Sequence, residues 1–225
     1  MKKYFRMLCL LAVAIMPSRV KIMLYRRLFD ADIDSTAHIG FSYIDVKKIK
    51  LGAYASIGHL NIIRGLELLE LGQHAVILKQ NTISAQGLEK TKQFADEKDR
   101  LPALILGDHS AIVSKHFLDC NNSIQIGHHT TIAGLGSAFF THAINIETNK
   151  QESAPIHIGD YCMIGALSCV LKGTKLPDCC VLAANSTLRG NLKKSHALYS
   201  GVPAVYIKDI DPKAAYFHRD VGYVD

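Results

Sequence analysis

Hydrophobic positions recur every six residues along much of this chain, most regularly between 158 and 193. Ile158, Ile164, Val170, Leu176, Leu182 and Leu188 fall on that spacing. The residue after the aliphatic one is glycine at Gly159 and Gly165, and the fifth place is small: Cys162, Ser168, Thr174, Cys180, Ser186. Neither a 3.6-residue nor a two-residue period produces this pattern. A six-residue repeat is the mark of a parallel β-helix. The aliphatic side chain points into a narrow triangular prism and the small one fits beside it. The glycine is expected to serve the tight turn between flat faces, where positive φ is cheap without a Cβ. Three hexads close one coil, so residues 18 apart are expected to stack, Ile158 on Leu176 and Ile164 on Leu182.

The period recurs upstream in three runs. Leu51-Gly52, Ile57-Gly58 and Ile63 form one, and Leu71-Gly72, Ile77 and Ile83 a second. The third is Leu106-Gly107, Ile112 and Leu118, continued by Ile126-Gly127 and Ile132. Nine of the 16 glycines follow Leu or Ile, which argues against chance placement. The phase slips by two between 63 and 71 and again between 118 and 126, read as bulging corners. The prism would hold roughly seven coils and stand about 35 Å tall at the spacing of paired strands.

Two stretches break the repeat. Residues 84–103, SAQGLEKTKQFADEKDRLPA, are charged and aperiodic and read as a surface excursion, an exposed loop or a short helix. Residues 135–155 read as a loop ejected from the prism, adding no hexad to its core. The expected organisation is a helical segment at 1–36, a β-helix at 37–197 and a C-terminal extension at 198–225. The extension opens on an extended exit, Leu198 to Ala204, and its tail and the N-terminal helices are the covers for the prism ends.

The N-terminus bears on location. Lys2, Lys3 and Arg6 precede an apolar run from Met7 to Met16, closed by Pro17. That run is too short to span a bilayer. With the basic, amphipathic stretch from Arg19 to Phe29 it reads as two short helices that cap the prism or lie on a membrane face. A cleaved signal peptide has the same outline. A net charge of +6 suits an anionic ligand or membrane surface. The basic residues form no stripe interleaved with aromatics, so nucleic acid is not an expected partner. Cys162 and Cys180 occupy the small hexad position, no CxxC occurs, and the six cysteines read as reduced packing residues.

Chemistry is expected where the chain leaves the regular coil. The 135–155 loop carries His142 in Phe139-Phe140-Thr141-His142, and histidine is the usual base near neutral pH. From 123 to 208 the chain resembles the hexapeptide-repeat, left-handed β-helix acyltransferases. The likeness lies in the order of Thr141-His142, Pro155-Ile156-His157-Ile158-Gly159-Asp160, Val170-Leu171-Lys172-Gly173, Ala184-Asn185-Ser186 and Gly201-Val202-Pro203-Ala204. The resemblance implies an all-β, left-handed parallel β-helix, acetyl-CoA as donor, and a homotrimer with sites between neighbouring prisms. It implies that His142 deprotonates the acceptor and that Asp119 binds an acceptor hydroxyl or orients His142. Backbone at Gly165, Ala166 and Ala184 would hold coenzyme A, with N–H groups near Gly165-Ala166 as oxyanion donors. Lys208 would meet the phosphates, with Lys193, Lys194 and Arg189 as further candidates. The turn commonly written Ala-Gly-Ser is Ala184-Asn185-Ser186 here, and Asn tolerates the left-handed region it needs. His128-His129 are placed in a corner facing solvent.

The leading expectation is O-acetylation of a sugar in surface-polysaccharide biosynthesis. It would take place in the cytoplasm, at or near the inner membrane face, with residues 1–30 available for peripheral membrane contact. The alternatives are N-acylation of an amino sugar, serine acetylation, a zinc β-helix enzyme resembling carbonic anhydrase, and a non-catalytic scaffold. The zinc reading needs three converging histidines and no Gly-His-x4-His occurs, so no metal is expected.

Overall fold

A computed structural model describes residues 2–88, 93–94 and 96–223. The chain winds through three mainly parallel sheets of seven, nine and seven strands, visited in turn as faces one, two and three. Face one runs from Asp30–Ile33 to Lys175–Leu176, face two from His38–Ile39 to Ala204–Asp209, and face three from Tyr43–Asp45 to Thr187–Leu188. Ile158 pairs with Leu176 and Ile164 with Leu182. The inward column of Ile57, Ile77, Ile112, Ile132, Ile164 and Leu182 is fully buried, a continuous apolar core along the axis. The prism begins at Asp30, inside the segment 1–36, because Asp30–Ile33 pairs in register with Lys48–Leu51. Its second face includes Ala197–Gly201, which straddles the 197/198 boundary.

The glycines behave differently from the expectation. Of the nine that follow Leu or Ile, eight do not take positive φ; the exception is Gly136, φ 74°. Those eight are glycine because neighbouring coils come too close: a Cβ on Gly58 would stand 2.1 Å from Leu78 O, and one on Gly165 2.5 Å from Ala184 N. Positive φ falls two places later at the first corner, on Tyr54, His74, His109, His129 and Tyr161, with φ between 53° and 58°. The last four donate their N–H to the preceding coil at 2.8–2.9 Å. The five rings form one stack with centroids 4.7–4.8 Å apart. The left-handed conformation costs an L-residue about 1–2 kcal/mol. A ring contact of about 0.5–1.5 kcal/mol and an amide bond of about 1 kcal/mol offset it. His128 is exposed at this corner as expected, whereas His129 is half-buried within the stack. Burial and neighbouring His109 hold the His129 imidazole below the ordinary value.

The second corner carries a buried polar ladder in the upstream coils, at places equivalent to the small residues of the later hexads. Asn61 donates to Ser42 Oγ at 3.3 Å, Asn81 to Asn61 Oδ1 at 3.1 Å, and His116 N to Asn81 Oδ1 at 2.9 Å. Ser137 N then donates to His116 Nδ1 at 3.1 Å. Burial holds His116 below the ordinary imidazole value, and its place in this ladder is structural. Asn185 takes the left-handed conformation, φ 58°. All six cysteines are unpaired.

The first coil is covered by α1 (Lys2–Ala14) and α2 (Ser18–Leu28). Leu10, Val13, Ile22 and Tyr25 are buried against it. The end coil's exposed backbone groups find partners there: Lys21 Nζ donates to Gly40 O, and Ile39 N donates to Ser18 Oγ at 2.9 Å. At the far end the exit is a hairpin, Ala197–Gly201 antiparallel to Ala204–Asp209, and not a simple extended strand. The tail does not stop at that end but runs back along the first corner. Tyr216 donates to Cys162 O at 3.1 Å, and Arg219 donates to His129 O.

Candidate active site

The third corner is where the coils differ in length. In the coils that shift by 20 residues the two extra residues lie here, and Leu66 and Cys120 turn inward to fill the added space. Both interruptions also leave from this corner, one after the strand Thr82–Ser84 and the other after Ala138–Phe140. The coil between them turns through Asp119 to Ser123, so both interruptions flank the same five residues.

Only part of 135–155 is ejected. Ala138–Phe140 is a strand of face three, pairing with Phe117–Asp119 below and Cys169–Leu171 above. Phe139 is fully buried, taking the inward position one residue later than the six-residue count. The projecting part is a hairpin, His142–Asn145 against Lys150–Ser153. Thr141 fastens its base. It is fully buried, donates its hydroxyl to Asp119 O at 2.8 Å and accepts from Asn122 N at 2.9 Å. That leaves His142, one residue on, over the turn of the neighbouring coil.

There His142 Nδ1 meets Asp119 Oδ2 in direct contact. The Asp119 side chain is 5 % exposed and that of His142 33 %. Asn121 donates its amide to Asp119 Oδ1 at 2.5 Å and its own backbone N to the same oxygen at 3.2 Å. Asp119 is thereby a fixed acceptor, and the contact assigns the proton of His142 to Nδ1. Nε2 is then the bare, basic nitrogen.

The excursion is anchored onto this site and is not a free surface loop. Residues 89–92 and 95 lie outside the described residues; the described remainder contains no helix. Phe94 is buried and sets its ring edge-on to His142 at 6.0 Å. Arg100 stacks on Phe94 and donates to Gln86 O, Asn121 O and Gly87 O. Glu97 accepts from Ser153, and Asp96 pairs with Lys150 at 2.7 Å, so the excursion grips the hairpin as well. Asn121, Phe94 and Arg100 escaped the sequence reading. The available signals were the Asp119-Cys120-Asn121 spacing and the large apolar residue inside a charged run.

A cavity of about 300 Å³ opens beside the pair, walled by Ser84, Phe117, Phe140 and Arg64. A larger hollow of about 710 Å³ lies under the tail, beside Val76, Leu78 and Val113. It is mainly apolar and lacks the His–Asp arrangement. No three His, Cys, Asp or Glu side chains form a metal-sized group among the described residues.

The remaining sequence candidates lie elsewhere. Gly165, Ala166 and Ala184 form one group at the second corner, where Asn185 N donates to Ala166 O at 2.9 Å. The N–H of Gly165 is committed to Leu182 O, which removes it as an oxyanion donor. Lys208 is exposed on the last strand of face two, opposite Leu198. Lys194 is paired with Asp209 at 2.5 Å. Within one chain, face three separates the second-corner group from the Asp119–His142 pair.

No protein-family model matches the sequence, and no curated protein matches it. Solved structures do match in fold. The polysialic acid O-acetyltransferase OatWY superposes with a TM-score of 0.55 at 14 % identity, over 83 % of this chain and 94 % of that one. The N-acyltransferase AntD from Bacillus cereus, in complex with dTDP-4-amino-4,6-dideoxyglucose and coenzyme A, gives 0.54 at 14 % identity, over 90 % and 96 %. The hexapeptide-repeat acetyltransferase VCA0836 from Vibrio cholerae O1 biovar eltor, complexed with acetyl coenzyme A, gives 0.52 at 17 % identity, over 90 % and 84 %. A second structure of VCA0836 matches over 63 % of its own length and 48 % of this chain, at 25 % identity and a TM-score of 0.45. The chain thus has the hexapeptide-repeat β-helix fold of these acetyltransferases, consistent with the expected left-handed coil.

Proposed function

We propose that this protein is an acetyl-CoA-dependent O-acetyltransferase acting on a sugar hydroxyl, in a surface-polysaccharide unit or precursor, on the cytoplasmic side where its donor is made. The observation that carries this reading is the Asp119–His142 pair beside a cavity lined by polar and aromatic side chains. A sugar hydroxyl is a poor nucleophile until a base takes its proton. As its oxygen attacks the thioester carbonyl, His142 Nε2 accepts that proton. The tetrahedral intermediate collapses, the C–S bond breaks, and the imidazolium returns the proton to the departing thiolate. Asp119 holds the tautomer and steadies the transient imidazolium. Ser84 and Arg64 offer polar contacts for the acceptor, and Arg64 suits an acidic one.

Coenzyme A is assigned to the second corner, along Gly165, Ala166 and Ala184, with Lys208 toward its phosphates. The separation of this group from His142 within one chain favours a homotrimer, in which one prism presents the donor to its neighbour's base. The bound acetyl-CoA of VCA0836 and the nucleotide sugar and coenzyme A of AntD support this pairing of substrates.

Thiol release from acetyl-CoA, measured across neutral, acidic and amino sugars and serine, tests the function. The expected result is release that depends on a hydroxyl-bearing sugar, from a particle of about three chain masses by light scattering. Release with amino sugars alone would move the reading to N-acylation. No release with any acceptor, together with no acetyl-CoA binding, would overturn it.

Asp119→Asn tests the pair. The amide can donate toward Nδ1 and favour the wrong tautomer, so kcat should fall roughly 10- to 10³-fold. The KM for acetyl-CoA should not move, since the donor group lies at another corner. An unchanged kcat would reduce Asp119 to a turn carboxylate.

A further inference from the structure

We propose that α1 and α2 dock this protein on an anionic membrane surface. The sides of these helices that cover the first coil are fully used, through Leu10, Val13, Ile22, Tyr25 and Lys21. The other side of α1 carries a second apolar stripe that the fold does not need. Tyr4, Leu8 and Leu11, with Ile15 just past the helix end, follow one another at spacings of four, three and four, which places them along one side. They are 70 %, 61 %, 47 % and 75 % exposed, and Phe5 beside them is 70 % exposed. A contiguous apolar stripe of this size on a folded surface marks an interaction site.

The charge beside the stripe decides what it meets. The two helices lie against each other at the start of the chain, with Arg6 over the ring of Phe29 just past α2. The exposed side of α2 presents Arg19, Met23, Arg26 and Arg27. Arg19, Arg26 and Arg27 surround a hollow of about 540 Å³ whose walls include Met23 and Ser35 and no carboxylate. The adjoining chain is acidic: Asp30 pairs with Lys48 at 3.1 Å, and Asp34 accepts from Thr36 and feels the charge of Arg26, whose guanidinium donates to Ile33 O, so Arg19 and Arg27 are the cations most open to a surface. A second copy of this chain docking by two-fold symmetry would set these arginines against their own kind. An anionic bilayer satisfies both features, headgroup phosphates at the arginines and the acyl boundary at the stripe. At 13 residues α1 is about 20 Å long, and no described helix is long and apolar enough to cross a membrane. The contact is therefore a helix lying in the interface plane. Docking is independent of the acetyl-transfer reading.

The test is co-sedimentation of the full-length protein with vesicles of phosphatidylcholine, alone or with about one third phosphatidylglycerol. Binding to the anionic vesicles should exceed binding to the neutral ones by about tenfold or more at low salt, and the difference should shrink as salt rises. Leu8→Glu with Leu11→Glu should lower binding about tenfold or more at every salt concentration, with an unchanged melting temperature because neither side chain packs on the prism. Arg19→Glu with Arg27→Glu should lower it mainly at low salt. Failure of the wild-type protein to bind anionic vesicles would overturn the proposal, as would equal binding by both variants. A concentration-dependent rise in mass that the Leu8/Leu11 variant abolishes would reassign the stripe to contacts between copies.

Discussion

His142→Ala should lower kcat for the proposed acetyl transfer by roughly 10²–10⁴-fold, the range expected when a positioned general base is removed. The geometry confines the loss to that step. The hairpin is held by Thr141, by Ala154 N donating to Thr141 O at 2.9 Å, and by the Lys150–Asp96 pair, none of which involves the imidazole. The variant should therefore keep its oligomeric mass, and its KM for acetyl-CoA should stay within about threefold of the wild type, since no donor group is touched. Steady-state kinetics with varied donor, paired with light scattering, give the answer. A variant that keeps near wild-type kcat removes His142 as the base. His116 would not replace it, being held in the polar ladder of the second corner, and His196 would be examined next.

The largest expected loss of stability comes from Phe139→Ala. Phe139 is fully buried between Leu118 and Val170 in the inward column of face three, with which it is in register. Its removal leaves a cavity that straight strands cannot collapse to fill, at a cost of about 3–5 kcal/mol. For a chain of this size that corresponds to a fall in Tm of about 6–20 °C. Activity should fall too at temperatures where the variant is still folded. The strand that carries Phe139 ends two residues before His142, and slack in it reaches the imidazole through Thr141. Thermal unfolding followed by circular dichroism checks the first effect, and kcat well below the new Tm checks the second. A shift under about 2 °C would mean that the column repacks and that Phe139 is not what sets the hairpin's base.

The sequence by itself determined the prism. In a solenoid each inward residue meets the one a coil away, so a constant spacing along the chain becomes a constant spacing in space. That is why Ile158 on Leu176 and Ile164 on Leu182 could be named from their positions alone. It also determined that the departures from the repeat were the places to look for chemistry, and it singled out His142 and Asp119. Only the tertiary structure decided why the glycines are glycines. The need comes from the backbone of the next coil, and a φ-based argument about one residue cannot see it. It also decided that histidines and tyrosines, not glycines, take five of the left-handed places at the first corner, where stacking and an amide bond between coils compensate that conformation. The meeting of Asp119 with His142 was decided in the same way. The two are 23 residues apart, and they touch because the third corner of one coil holds two extra residues and the next coil sends out a hairpin from the same corner. The placing of Phe94 against that imidazole depends on a charged excursion folding back onto the prism, through contacts of Arg100, Glu97 and Asp96 that no periodicity encodes. Repetition makes a fold legible because it turns long-range contacts into local spacing, and the site lies where the repetition stops.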